Sequence, residues 1–200
     1  MNRLAALALI ASTALISAGD GTELDRARAL HQAGVAGDRT AVTRCIAQLE
    51  SLLAREASNQ TARAWLGSAL TLRARDLGLG PAKLATLKRG GRLMDEAVAA
   101  SDDPEVRLIR ALNSANLPAI FGRRAVARED FRLLLERVRD PAHRVNEERA
   151  QAIYLHAGDF LVKDGRRAEG MGVWREGLRF RPGTVLAREI SSRLTSTPGT

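Results

Sequence analysis

Residues Ala150 to Pro182 restrict the possible folds of this chain more than any other stretch. Tyr154, Ala157, Gly158 and Leu161 fall on one helical face, and Asp164-Gly165 supplies a turn. Gly170, Met171, Trp174, Gly177 and Leu178 then line a returning helix that Pro182 ends. Glycines at 158 and 170 let two helix backbones approach, while Tyr154 and Trp174 fill the flanking volume. Such a hairpin cannot bury both its faces alone, so it demands neighbours of its own kind.

The segment resembles a tetratricopeptide repeat. That family's pattern is an aromatic, Leu-Gly three and four positions on, a second aromatic, a small residue, a third aromatic and a closing Pro. Here it reads Tyr154-x-x-Ala157-Gly158-x-x-Leu161, then Gly170-x-x-x-Trp174, then Pro182. Ala157 and Leu161 depart from the family's Leu and Tyr, and Gly170 takes the slot usually held by Ala. Trp65-Leu66-Gly67-x-x-Leu70 is a partial second match, with its Trp shifted to the position just before Leu66. The alternative is an ordinary antiparallel helix pair in an unrelated bundle. The resemblance implies an all-α chain of antiparallel helical hairpins stacked as a short α-solenoid with a C-terminal capping helix. It also implies recognition of a peptide or partner domain along the concave face made by the first helix of each hairpin. On this chain that face would use Thr61, Ser68, Thr71, Glu105, Leu112, His156, Asp159 and Lys163. These are not the Lys/Asn/Arg set with which some members clamp a C-terminal carboxylate.

Composition agrees with close helix stacking. Hydrophobic residues make up 45% of the chain and aromatics only 4%, so Ala and Leu carry most of the packing at little cost in helical free energy. Asn2-Arg3, the apolar run Leu4 to Ile16 and the small residues Ser17-Ala18-Gly19 read as a secretory leader over residues 1 to 19, too short for a membrane span. The expected mature chain is a helical-repeat domain over residues 20 to 195 with a frayed tail at 196 to 200, exported to a bacterial periplasm. Cys45 is the only cysteine, which excludes an internal disulfide, and its place on an apolar helical face points to burial.

Net charge is +8, and loss of Arg3 with the leader leaves 30 basic against 23 acidic residues, or +7. Arg-rich coding bias is the compositional reading; an acidic partner or an anionic membrane surface is the functional one. With no intact basic run, the charge is read mainly as a solvated face. Export and the lack of aromatics interleaved with basic residues argue against nucleic acid.

Periodicity places the remaining helices. Leu24, Ala27 and Leu30 mark a short first helix that Gly34 to Gly37 stops, and Asp38 can cap the next, which carries Val42, Cys45, Ile46, Leu49 and Leu52. Asn59 or Thr61 opens a third, and Pro81 suits the first turn of a fourth. Gly90-Gly91 in that fourth helix costs about 1 kcal/mol per glycine, which a close crossing against Gly67 would offset. Asp102-Asp103-Pro104 begins a fifth that Pro118 stops. The segment from Leu117 to Arg124 sets apolar residues in a loop and two arginines at a helix start, where the macrodipole disfavours cations. Phe121, Arg123 and Arg124 are therefore candidate binding residues. The structural alternative has Phe121 in the core and the arginines paired with Glu129 or Asp130. Asn146 and Thr184 can cap the last helices.

No constellation calls for an enzyme. His31, His143 and His156 are separated, no further ligand joins His156 and Asp159 at metal spacing, and no phosphate loop or nucleophile turn is present. No metal or cofactor is expected. The sequence points to a non-enzymatic periplasmic adaptor that binds a protein or peptide, with Ser68, Thr71, Phe121, Arg123, Arg124, His156, Asp159 and Lys163 as candidate contacts. The other reading is a solute-binding or transport-associated helical protein with a small-ligand pocket near Leu117 to Arg124.

Overall fold

The computed structural model describes residues 22–196, so the leader read over residues 1 to 19 and the tail beyond Ser196 lie outside it. Among the described residues the chain is all-α, without strands. The helices are α1 (Glu23–Val35), α2 (Arg39–Arg55), α3 (Gln60–Asp76), α4 (Pro81–Ala99), α5 (Pro104–Asn116), α6 (Arg124–Arg139), α7 (Glu147–Lys163), α8 (Arg167–Gly177) and α9 (Val185–Ser196), with a 3-10 turn at Ala119–Phe121. None of these helices is long and apolar enough to cross a membrane.

Polar residues at the predicted boundaries set the helix starts. Asp38, Asn59 and Thr184 accept from the backbone N–H of Ala41, Ala62 and Ala187 at 2.9, 2.9 and 3.0 Å, and Thr22 with Asp25 forms a reciprocal capping box. Asn146 accepts from both Glu148 and Arg149. Each cap contributes about 1 kcal/mol by satisfying amides that have no partner inside the helix.

The chain divides into two compact units, the first ending at Asn116 and the second beginning at Leu117. The division falls where Pro118 bars Leu117 from helical geometry and Gly122 takes a left-handed turn with φ of 65°.

In the first unit α3 is the central element, packed against α1, α2, α4 and α5. Every residue from Ala64 to Leu70 is therefore buried, far more than one amphipathic stripe would allow. The closest approach is between α3 and α4. A methyl group on Gly67 would stand 2.6 Å from the Gly90 carbonyl oxygen, and one on Gly90 would stand 2.7 Å from that of Gly67. Gly90, and not Gly91, thus makes the crossing that offsets the glycine pair's helical cost.

In the second unit α7 is central, contacting α6, α8 and α9, and Ala150 to Gly158 are all buried. Gly158 receives the ring of Trp174, whose Nε1 donates to the Leu155 carbonyl at 3.0 Å. Gly170 lies against the Gly158 carbonyl and Gly177 against Tyr154. Buried Gln151 ties α7 to the chain that follows α8, donating to the Gly177 and Arg181 carbonyls and accepting from Thr184 at 2.6 Å. A hydrogen-bonded buried amide of this kind fixes register, because any slip would leave it unpaired.

Candidate functional site

Helices α6 and α8 both pack near α7 without closing over it, leaving a groove of about 550 Å³. Its floor is apolar: Phe131 and Leu135 from α6, Phe160 and Leu161 from α7, Val173 and the bare backbone of Gly172 from α8. Phe131 and Phe160 stack with ring centroids 5.2 Å apart. A side chain at Gly172 would meet nothing within 4 Å, so its absence keeps the groove open.

The walls carry both signs of charge, largely satisfied among themselves. On α6, Arg132 bridges Glu129 at 2.6 Å and also pairs with Glu136. Beside α8, Arg166 pairs with Glu169 at 2.5 Å, which holds the Glu169 carboxyl below its usual range and raises the guanidinium. Two bridges span the ends. Arg139 meets Glu176 through two bonds of 2.8 and 2.9 Å, while Arg124 and Arg128 both reach Asp164 in the α7–α8 turn, at 2.5 and 3.0 Å. The Arg124 hydrogen bond, followed by Arg128, lowers the Asp164 pKa. These pairs are largely exposed and screened by solvent, and together they leave the groove with little net field.

Dimensions decide what can enter. The wall from Ala125 to Arg139 is about 21 Å long at 1.5 Å per residue, and the one from Arg166 to Glu176 is about 15 Å. An extended chain rising about 3.3 Å per residue would set about five residues along this length, with alternate side chains toward the floor.

The residues singled out from the sequence fall in three places. Ser68 is buried in the first unit, its Oγ 2.7 Å from His31 Nε2 and accepting from Asn113 Nδ2 at 3.1 Å. Half-buried Thr71 lies 2.7 Å from Asn113 Oδ1. Together these side chains tie α1, α3 and α5, and Ser68 has no surface to offer a partner. Glu105 is likewise drawn inward, accepting from Trp65 Nε1 at 3.0 Å and Arg28 at 2.6 Å. Buried His156 has an Nε2 without a hydrogen-bond partner, and Asp159 is held by Arg193 of α9 at 2.6 Å. Burial drives the His156 pKa down to about 4, with Arg193 adding to it, and pushes the Asp159 carboxyl up against the pull of Arg193. The third place borders the groove. Arg124 donates to the Lys163 carbonyl at 3.0 Å besides holding Asp164, so these two candidates stand beside the groove's turn end. Phe121 is 37% exposed rather than in the core, Arg123 is half-buried just ahead of α6, and Arg124 takes Asp164 rather than Glu129 or Asp130. None of Leu117 to Arg124 lines the groove.

Sequence reasoning missed the lining residues because their charges read as a solvated face. The available signal was the spacing Glu129, Arg132, Glu136, Arg139 set beside Phe131 and Leu135, a charge ladder next to an apolar stripe. Cys45 is buried as expected, its thiol donating to the Ala27 carbonyl at 3.3 Å and its pKa pushed up to about 12 by burial. Among the described residues no cluster of three or more His, Cys, Asp and Glu side chains is placed to hold a metal. No protein-family model, curated protein or solved structure matches the chain.

Proposed function

We propose that this chain is a non-enzymatic adaptor that binds an extended peptide segment of a protein partner in the α6–α7–α8 groove. The observation that carries the reading is the groove's open apolar floor, long enough for about five extended residues and walled by charges already paired with one another. Such a surface takes alternate apolar side chains on its floor. Its rim arginines and glutamates can exchange hydrogen bonds with a peptide backbone. The surface differs from the concave first-helix face suggested by the repeat resemblance. That face on α7 is already occupied, with His156 buried and Asp159 paired to α9. In the same proposal the hairpins are tetratricopeptide-like units, with α9 as the cap on the α7–α8 hairpin. The leader would send the protein to the periplasm, where the partner would be an envelope or secreted protein.

Selection from a randomised hexapeptide library, followed by fluorescence polarisation of an enriched peptide, tests the groove. Gly172→Leu is the informative variant, because it fills the groove without touching the core and removes a helical glycine, stabilising α8 by about 0.5 to 1 kcal/mol. Peptide binding should fall at least tenfold while thermal stability holds or rises. Library enrichment of nothing, or equal binding by G172L, would overturn the proposal.

A further inference from the structure

The first unit carries a second surface that the groove does not explain. Between α3 and α4 the chain runs Leu77-Gly78-Leu79-Gly80 into Pro81, and Leu79 at its tip is 98% exposed. Leu84, one turn into α4, is 44% exposed, and Pro81, Ala82 and Ala85 around it are exposed as well. Folding gains nothing from leaving these two leucines in water, and with Pro81, Ala82 and Ala85 they make a projecting apolar cap.

The charge around the cap is one-sided. From Leu77 to Met94 the sequence contains Lys83, Lys88, Arg89 and Arg92 and not one Asp or Glu. Arg89 is engaged with Glu50 of α2 at 2.8 Å. Exposed Lys88 lies one turn beyond Leu84 on the same face of α4, and the Lys83 ammonium donates to the Leu77 carbonyl at the base of the loop. Only Lys83, Lys88 and Lys163 are lysines, against 28 arginines, so two of the chain's three lysines flank this tip. A lysine stem can lie along apolar surface while its ammonium stays in water. The start of α4 has no side-chain cap, which leaves its first-turn amides available to an anion.

The exposed turn of the second unit is different. Ile120 is 89% exposed there, but Arg124 nearby is committed to Asp164.

From this geometry we propose that the α3–α4 tip docks on a bilayer surface bearing anionic headgroups. Leu79 and Leu84 enter the headgroup boundary, and Lys83 and Lys88 pair with lipid phosphates. The shape favours lipid over a protein partner. Leu79 stands between two glycines with open space around them, which makes a wedge rather than a pocket-lined patch, and a wedge is accommodated by a deformable phase. The peptide groove plays no part in this docking.

Vesicle co-sedimentation tests it, using vesicles of phosphatidylcholine alone and vesicles containing about one third phosphatidylglycerol. Wild type and variants carry the same N-terminal residues, so residues 1 to 21 contribute equally to every sample. The chain should partition onto the anionic vesicles, more weakly as salt rises, and only marginally onto phosphatidylcholine. Leu79→Ser with Leu84→Ser should reduce partitioning about tenfold or more, since burial of one leucine alone is worth about that factor. Lys83→Glu with Lys88→Glu should reduce it on anionic vesicles only. Both pairs change exposed or half-exposed side chains, and an unchanged helical spectrum checks that the fold is intact. Equal binding of the leucine variant, or equal binding of wild type to both vesicle types, would overturn the proposal. So would loss of a wild-type dimer in the leucine variant without change in vesicle binding.

Discussion

Hairpin α3–α4 of the first unit and hairpin α7–α8 of the second each rely on glycine for their closest approach, but in different ways. In α3–α4 the contact is backbone on backbone, Gly67 against Gly90, and α5 then packs on both helices. In α7–α8 Gly158 accepts an indole ring, and α8 keeps an open glycine, Gly172, on the edge of the groove. Their interiors differ as well. The first unit threads a polar chain from His31 through Ser68 and Asn113 to Thr71, whereas His156 in the second is buried with Nε2 unpaired. The α3–α4 crossing is closed along its glycines, whereas α8 leaves one face uncovered beside the groove.

Acid should expose the shared weakness of the two units before their differences. Burial depresses His31 and His156 to about 4, with Arg75 adding to the effect at His31 and Arg193 at His156. The unfolded chain, with histidines near 6.5, therefore binds more protons between these values, and stability falls as pH drops from about 6.5 to 4. The loss is up to about 3 kcal/mol for each histidine, visible as a falling denaturation midpoint. Replacing both should flatten that part of the curve.

Glycine substitutions separate the two hairpins. Gly67→Ala should cost about 3 kcal/mol, since a backbone carbonyl cannot step aside, and Met94→Ala should restore little of it. Gly158→Ala should cost about 2 kcal/mol, and its penalty should shrink in a Trp174→Leu background, because there the obstruction is a side chain. Equal rescue in both double-mutant cycles would erase the distinction.

The buried histidines divide the units again at smaller scale. His31→Leu leaves the buried Ser68 hydroxyl short of a partner and should cost about 2 kcal/mol, while His156→Leu removes an unpaired buried nitrogen and should stay within about 1 kcal/mol of wild type. Urea unfolding at neutral pH, where both rings are uncharged, reads the difference. Smallest of all, Gly91→Ala should stabilise by about 0.5 to 1 kcal/mol, because nothing lies within 4 Å of the added methyl, in contrast to its neighbour Gly90.

Much of this was legible in residue order. Caps at Asp38, Asn59, Asn146 and Thr184, the stop at Pro118, and the closeness of Gly67 to a glycine of Gly90-Gly91 all follow from local rules about amides, proline and missing side chains. The candidate site was less legible. Ser68 and His156 sit at helical positions that could equally face a groove, and what buries Ser68 comes from partners 37 and 45 residues away. The groove is lined by Glu129, Arg132, Glu136 and Glu169, residue types that solvated helices use everywhere, and only the spacing between α6 and α8 makes them walls. That spacing is set by tertiary packing, which no local pattern encodes.

Gly172 and Gly91 provide the most direct test, as both are helical glycines with open space at Cβ, one in the groove and one in the closed hairpin's α4. Affinity for a groove-selected hexapeptide should be compared between Gly172→Leu and Gly91→Leu by fluorescence polarisation. Affinity should fall at least tenfold for the first and stay at the wild-type value for the second, with both variants folded. Equal affinities, or a loss confined to the Gly91 variant, would contradict peptide binding in the groove.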